Sequence, residues 1–220
     1  GVLAVRCLSK QGSGTVNFNF GGGTLQANAA FSSSMPMTLT GTGGNANVDT
    51  NNYAVTLSGV LSGLGGLTKS GANTLTLSAA NDYTGDTRVV AGTLAIASNS
   101  LQNSTLNMVL GDAGTLSISG PVTLGGLKGN RNLSLRNNTT NVSIGNNNQS
   151  TTYSGVLSNT ALTKVGTGTL TLTNANTYTG LTTVSAGVVA YGANNVISSG
   201  SVAVSGGTLG LGSYSDSVGT

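Results

Sequence analysis

The sequence contains no histidine, no tryptophan and no glutamate. Its acids are Asp49, Asp82, Asp86, Asp112 and Asp216, and charged residues of both signs fill 6% of the 220 positions. Without His and Glu, most nucleophile–base pairs, general acid/base pairs and zinc sites cannot be assembled. Two prolines and no strict three-residue glycine period exclude a collagen-like chain. No apolar run is long enough for a membrane-spanning helix. The single cysteine, Cys7, excludes an internal disulfide; it reads as a small buried hydrophobe, with intermolecular pairing as the alternative.

Glycine is abundant, at 35 residues, and with Ser, Thr and Asn it supplies about half the chain. Disordered chains pair low hydrophobicity with high net charge. Here 37% of residues are hydrophobic, the net charge is +3, and the apolar residues are patterned. A folded, charge-poor, β-rich chain is what remains. It begins at Gly1-Val2-Leu3-Ala4-Val5-Arg6 without Met and reads as mature or excised from something longer.

The chain repeats itself. Leu67-Thr68-Lys69-Ser70-Gly71-Ala72-Asn73-Thr74-Leu75-Thr76-Leu77 returns as Leu162-Thr163-Lys164-Val165-Gly166-Thr167-Gly168-Thr169-Leu170-Thr171-Leu172. Ala80-Asn81-Asp82-Tyr83-Thr84-Gly85 returns as Ala175-Asn176-Thr177-Tyr178-Thr179-Gly180 with no gap. From Leu67 to Gly92, about 17 of 26 positions are identical. A weaker unit, apolar-x-apolar then glycines then Thr-Leu, recurs at Thr24-Leu25, Thr115-Leu116 and Thr208-Leu209. The expected organisation is one continuous solenoid over residues 1–220. Related units at 53–97 and 152–192 are separated by Gly-Thr-Leu coils at 16–52, 106–150 and 202–220.

Within each unit the period is two. Thr74-Leu75-Thr76-Leu77 and Thr169-Leu170-Thr171-Leu172 put leucine on one strand face and threonine on the other. This predicts Leu75, Leu77, Leu170 and Leu172 in the interior. Gly and Asn gather between the runs, where turns need positive φ. Short strands, glycine turns and repetition predict an all-β fold, a right-handed parallel β-helix of about ten coils and roughly 50 Å at the spacing of paired strands. Like charges stacked in register would repel, whereas Thr, Ser and Asn can stack as hydrogen-bonded ladders, which accounts for the missing charge.

The pattern Leu-Thr-Lys-x-Gly-x-x-Thr-Leu-Thr-Leu-x-x-Ala-Asn-x-Tyr-Thr-Gly-x-Thr-x-Val-x-Ala-Gly closely resembles the autotransporter-associated β-strand repeat of type V secreted passenger domains. Both copies, Leu67 to Gly92 and Leu162 to Gly187, match nearly end to end. The resemblance implies an extracellular β-helix at the surface of a Gram-negative bacterium, exported through a C-terminal membrane barrel. No barrel-like run of amphipathic strands occurs within these residues, which fits a fragment or a processed passenger.

The candidate sites read mostly as structure. The loop Asn81-Asp82-Tyr83-Thr84-Gly85-Asp86 has oxygen-bearing side chains that could suit Ca²⁺, but its second copy, Asn176-Thr177-Tyr178-Thr179-Gly180-Leu181, lacks both acids. A structural turn is expected, with Asn81 and Asn176 bonded to backbone and Tyr83 and Tyr178 packed over a coil corner rather than stacked on sugar. Between Ala113 and Ser215 there is no acid, while Lys128, Arg131, Arg136 and Lys164 occur. That run reads as a solvated face, with a weak polyanion-binding face as the alternative.

No catalytic, cofactor-binding or metal-binding residue is expected, and no cofactor. The expected function is a structural or adhesive extracellular surface segment with no enzymatic activity. It would contact host or bacterial surface molecules, or like chains, through many weak polar contacts, and would bind no specific nucleic acid. The alternatives are a passive stalk displaying another domain and, less favoured, a β-helix enzyme acting on polysaccharide, which would need the scattered Asp gathered in one cleft.

Overall fold

The computed structural model describes residues 1–9, 11, 16, 18–135, 141–197 and 199–218. It forms two compact units, one of Gly1–Ser104 with Asp112–Ser119, the other of Thr105–Gly111 with Gly120–Thr220. The described residues are all-β and contain no helix, so none is long and apolar enough to cross a membrane. Their strands make about ten turns of a parallel β-solenoid.

The first unit has three strand faces. Val2–Val5, Thr24–Ala27, Ala46–Asp49, Leu67–Ser70 and Thr87–Val89 stack in parallel as its first face. Phe31–Ser33, Val55–Leu57, Thr74–Leu77, Thr93–Ile96 and Thr115–Ile118 form the second. Phe18–Phe20, Met37–Leu39 and Leu61–Ser62 form the short third.

The second unit repeats this plan. Val122–Gly129, Asn141–Ile144, Ala161–Lys164, Thr182–Val184 and Val202–Val204 make its first face. Thr151–Tyr153, Thr169–Leu172, Val188–Tyr191 and Thr208–Gly210 make its second, and Leu133–Ser134 and Leu157–Ser158 its third. Within each unit, successive first-face strands start 19 to 22 residues apart, one turn of chain.

Parallel in-register stacking carries the period of two through the core. In the first unit Leu57, Leu77, Ile96 and Ile118 stand in one inward column, with Val55, Leu75 and Leu94 beside it. In the second unit Leu170 pairs with Val189, and Leu172 lies between Tyr153 and Tyr191. Leu75, Leu77, Leu170 and Leu172 are each at most 1% exposed, as the alternation predicts. Burying each such side chain contributes roughly 1.5–3 kcal/mol.

Two expectations are corrected. Cys7 is exposed rather than buried, because it follows a strand, Val2–Val5, whose residues are themselves mostly exposed. The Thr-Leu pairs are also not all equivalent. Thr24-Leu25 opens a first-face strand of the first unit, whereas Thr115-Leu116 opens a second-face strand. A two-residue motif fixes which side chain points inward but not which face it joins.

Candidate binding faces and the interior of the repeat

Period two also builds the outer surface. On the second face of the first unit, Ser32, Thr56, Thr76, Ala95 and Ser117 form one outward column. Thr74, Thr93 and Thr115 form a second, and none of these eight residues is charged. The Thr93 and Thr115 hydroxyls are 3.1 Å apart and hydrogen-bonded. On the first face, Asn47 Nδ2 donates to Thr24 Oγ1 at 3.1 Å and Gln26 Nε2 to Asp49 Oδ2 at 2.8 Å. In the second unit Thr163 Oγ1 donates to Asn141 Oδ1 at 3.0 Å. Hydroxyl and amide ladders therefore run between turns on the surface, where both partners keep access to water.

The invariant loop residues of the two copies point inward. Asn81 is 2% exposed; its Oδ1 accepts the Leu61 N–H at 2.8 Å and its Nδ2 donates to the Ser100 carbonyl at 3.0 Å. Asn176 does the same, accepting from Leu157 at 2.7 Å and donating to the Val196 carbonyl at 2.6 Å. Each amide thus joins the turn before its own to the turn after. Tyr83 and Tyr178 are at most 1% exposed, which excludes stacking on a sugar.

The Tyr83 hydroxyl meets Thr87 Oγ1, which meets Ser104 Oγ at 2.8 Å, and Ser104 donates to the Gly85 carbonyl at 2.6 Å. Since each hydroxyl carries one proton, that last bond fixes the direction: Tyr83 donates to Thr87 and Thr87 to Ser104. Burial pushes both tyrosine hydroxyls up to about 12. Tyr178 makes the matching contact with Thr182 at 2.8 Å.

The principal correction concerns lysine. Lys164, expected among exposed basic residues, is 1% exposed, and its counterpart Lys69 is 0% exposed. Lys69 stands in the inward column between Val48 and Val89. Its Nζ donates to the carbonyls of Ser70 and Gly71, both at 2.8 Å, and of Ala91 in the next turn at 3.0 Å. Lys164, between Ile144 and Val184, donates to Val165, to Gly166 at 2.9 Å and to Ala186 at 3.5 Å. Burial pulls Lys69 down to about 8, against the attraction of Asp49, and pulls Lys164 down as well. The alternation held the signal, since Lys69 shares a parity with Leu67; its charge argued for the surface, and the carbonyls that satisfy it were not legible.

The basic stretch consequently does not form one exposed face. Lys128 and Arg131 are half-buried, Arg131 reaching Met108 Sδ at 3.6 Å, and Arg136 lies outside the described residues. The acids are dispersed, and Asp49, Asp112 and Asp216 make structural side-chain contacts. Asp49 accepts from Gln26 and the Asn51 N–H, Asp112 forms a two-pronged pair with Arg88 at 2.8 Å, and Asp216 accepts from the Ile197 N–H at 2.8 Å. Asp82 is exposed, and the Asp86 carbonyl accepts from Leu67 N at 2.9 Å.

Comparison with known proteins agrees with this geometry. The passenger-associated-transport-repeat family matches residues 67–96 and 162–190, the segments that contain both lysines, both asparagines and both tyrosines. The Adhesin BmaC autotransporter of Brucella suis biovar 1 (strain 1330) is 38% identical over 128 residues, 55% of this chain and 4% of that protein. The match thus spans a small fraction of the relative's length. No solved structure matches. The chain carries two passenger-associated-transport repeats of the autotransporter passenger kind, which place it outside the outer membrane of a Gram-negative bacterium.

Proposed function

We propose that this chain is a non-enzymatic adhesive segment of a passenger, and that its working surface is the second face of the first unit. The observation that supports this is the uncharged double column of Ser32, Thr56, Thr76, Ala95 and Ser117 beside Thr74, Thr93 and Thr115. Each hydroxyl can donate and accept, so the surface suits hydroxyl-rich partners on host or bacterial cells, or a second copy of itself. Single contacts of this kind are weak. Repetition from turn to turn makes them additive, because each bond formed raises the effective concentration for the next. That the similar Brucella protein is named an adhesin points the same way.

The test is binding of the purified 220-residue chain to bacterial and host cells and to itself. Binding is expected, and is expected to fall in a T56K/T76K/T93K variant that melts as the parent does. A chain that binds neither cells nor itself would instead be a passive spacer.

A further inference from the structure

The strands of this solenoid are short and chemically alike. A one-residue slip between turns would turn leucines outward and is strongly disfavoured. A two-residue slip is different: it keeps the inward parity, bringing Val184 to the place of Thr182 or Tyr191 to that of Val189. Inward parity alone therefore does not discriminate against it.

The inward lysine does discriminate. Lys69 Nζ stands 2.8 Å from where a Cβ on Gly92 would lie, and Lys164 Nζ 2.8 Å from the same point on Gly187. Both glycines have φ in the left-handed region, +66° and +62°. They leave a notch in the following turn, where the carbonyl of the preceding residue, Ala91 or Ala186, meets the ammonium. A two-residue slip of that turn would bring Val90 or Leu94 to the place of Gly92, and Ser185 or Val189 to that of Gly187. All four carry a Cβ. The slipped chain would then close the notch and remove the next-turn carbonyl from a buried cation, which is costly to leave under-bonded.

We propose that Lys69 and Lys164 are register pins: each fixes the alignment of its own turn with the next, and does so by specifying one pairing rather than by adding stability. Replacing a buried, hydrogen-bonded charge by an apolar side chain of similar size is often neutral or stabilising. A pin is thus separable from a stabilising contact. Met in place of Lys keeps the volume and removes the lysine's share of the preference, while the backbone carbonyls that also crowd the notch at Gly92 and Gly187 remain.

The experiment uses the full 220-residue chain with Cys7→Ser and a reporter cysteine pair, Thr163→Cys and Thr183→Cys. These positions are half-exposed register partners on adjacent strands, close enough for a disulfide when the register is native. After refolding and mild oxidation, the chain with Lys164 is expected to cross-link fully. K164M is expected to fold, to melt no lower, and to leave a several-fold larger uncross-linked fraction among folded molecules. K164A refolded with n-propylammonium, which replaces the missing atoms, should recover the full cross-link, and 1-propanol should not restore it. Complete cross-linking of folded K164M would overturn the proposal. So would failure of K164M to fold, since the lysine would then supply stability rather than register.

Discussion

The side-chain amide of Asn81 bridges the turn before its own and the turn after, accepting the Leu61 N–H at 2.8 Å and donating to the Ser100 carbonyl at 3.0 Å. Both backbone groups are buried with it and have no access to compensating water. Asn81→Ala is expected to leave a donor and an acceptor unpaired and to cost roughly 2–6 kcal/mol, at about 1–3 kcal/mol for each buried unsatisfied group. Protonated, Asn81→Asp can keep both contacts, one oxygen accepting from Leu61 and its O–H donating to Ser100; ionised, it loses that donor and buries a charge, so it should cost less than Ala at low pH and more at neutral pH. Urea unfolding midpoints at pH 4 and pH 7 check both. Asn176→Ala should behave alike, because its amide makes the same pair of contacts.

Leu75 and Thr76 are neighbours in sequence with opposite environments, one 0% exposed and the other half-exposed. Leu75→Ala removes atoms from a closed column between Val55 and Leu94 and should destabilise by about 2–5 kcal/mol. Thr76→Ala should change stability by no more than about 0.5 kcal/mol. Equal effects of the two substitutions in denaturant titrations would contradict the inward parity.

That parity was legible because it needs only the local order of residues. The leucines and the threonine ladders follow from alternation and repetition. The lysines obey the same alternation, yet hydropathy assigns them to water. Only the convergence of three carbonyls from two turns reverses that assignment, and the sequence does not display which carbonyls converge. Asn81 was expected to bond to its own turn. Its partners, Leu61 and Ser100, lie 20 and 19 residues away, at distances set by the winding of the chain.

Burial of Lys69 and of the tyrosines sets a pH dependence with two opposite limbs. Lys69 releases its proton near pH 8 in the folded chain, against 10.5 when free. Between those values the unfolded chain binds more protons, so stability rises with pH, and Lys164 shifts in the same direction. Tyr83 and Tyr178 hold their protons to about 12 in the folded chain, against 10.0 when free, so above pH 10 the folded chain binds more and stability falls. The expected profile of urea midpoints rises from about pH 7.5 to a maximum near pH 10, then declines. The K69M/K164M variant should lack the rising limb and keep the decline.

Gly92 is required on two independent grounds. Its φ of +66° is left-handed, and an added Cβ would overlap the carbonyl oxygens of Gly71 and Asn73 as well as crowd Lys69 Nζ. The backbone conformation alone costs an L residue about 1–2 kcal/mol. The overlap adds to this, because backbone carbonyls held in a stacked turn cannot retreat as a flexible side chain can. Gly92→Ala is therefore expected to lose more than about 2 kcal/mol, and Gly187→Ala, at φ +62° against Gly166 and Gly168, to match it. Gly120→Ala is the control: no atom lies within 4 Å of its added Cβ and its φ is not positive, so the change should be close to neutral. Thermal melts of the three variants separate a required notch from a general intolerance of alanine, and a Gly92→Ala chain as stable as Gly120→Ala would show that the turn can shift to admit a side chain.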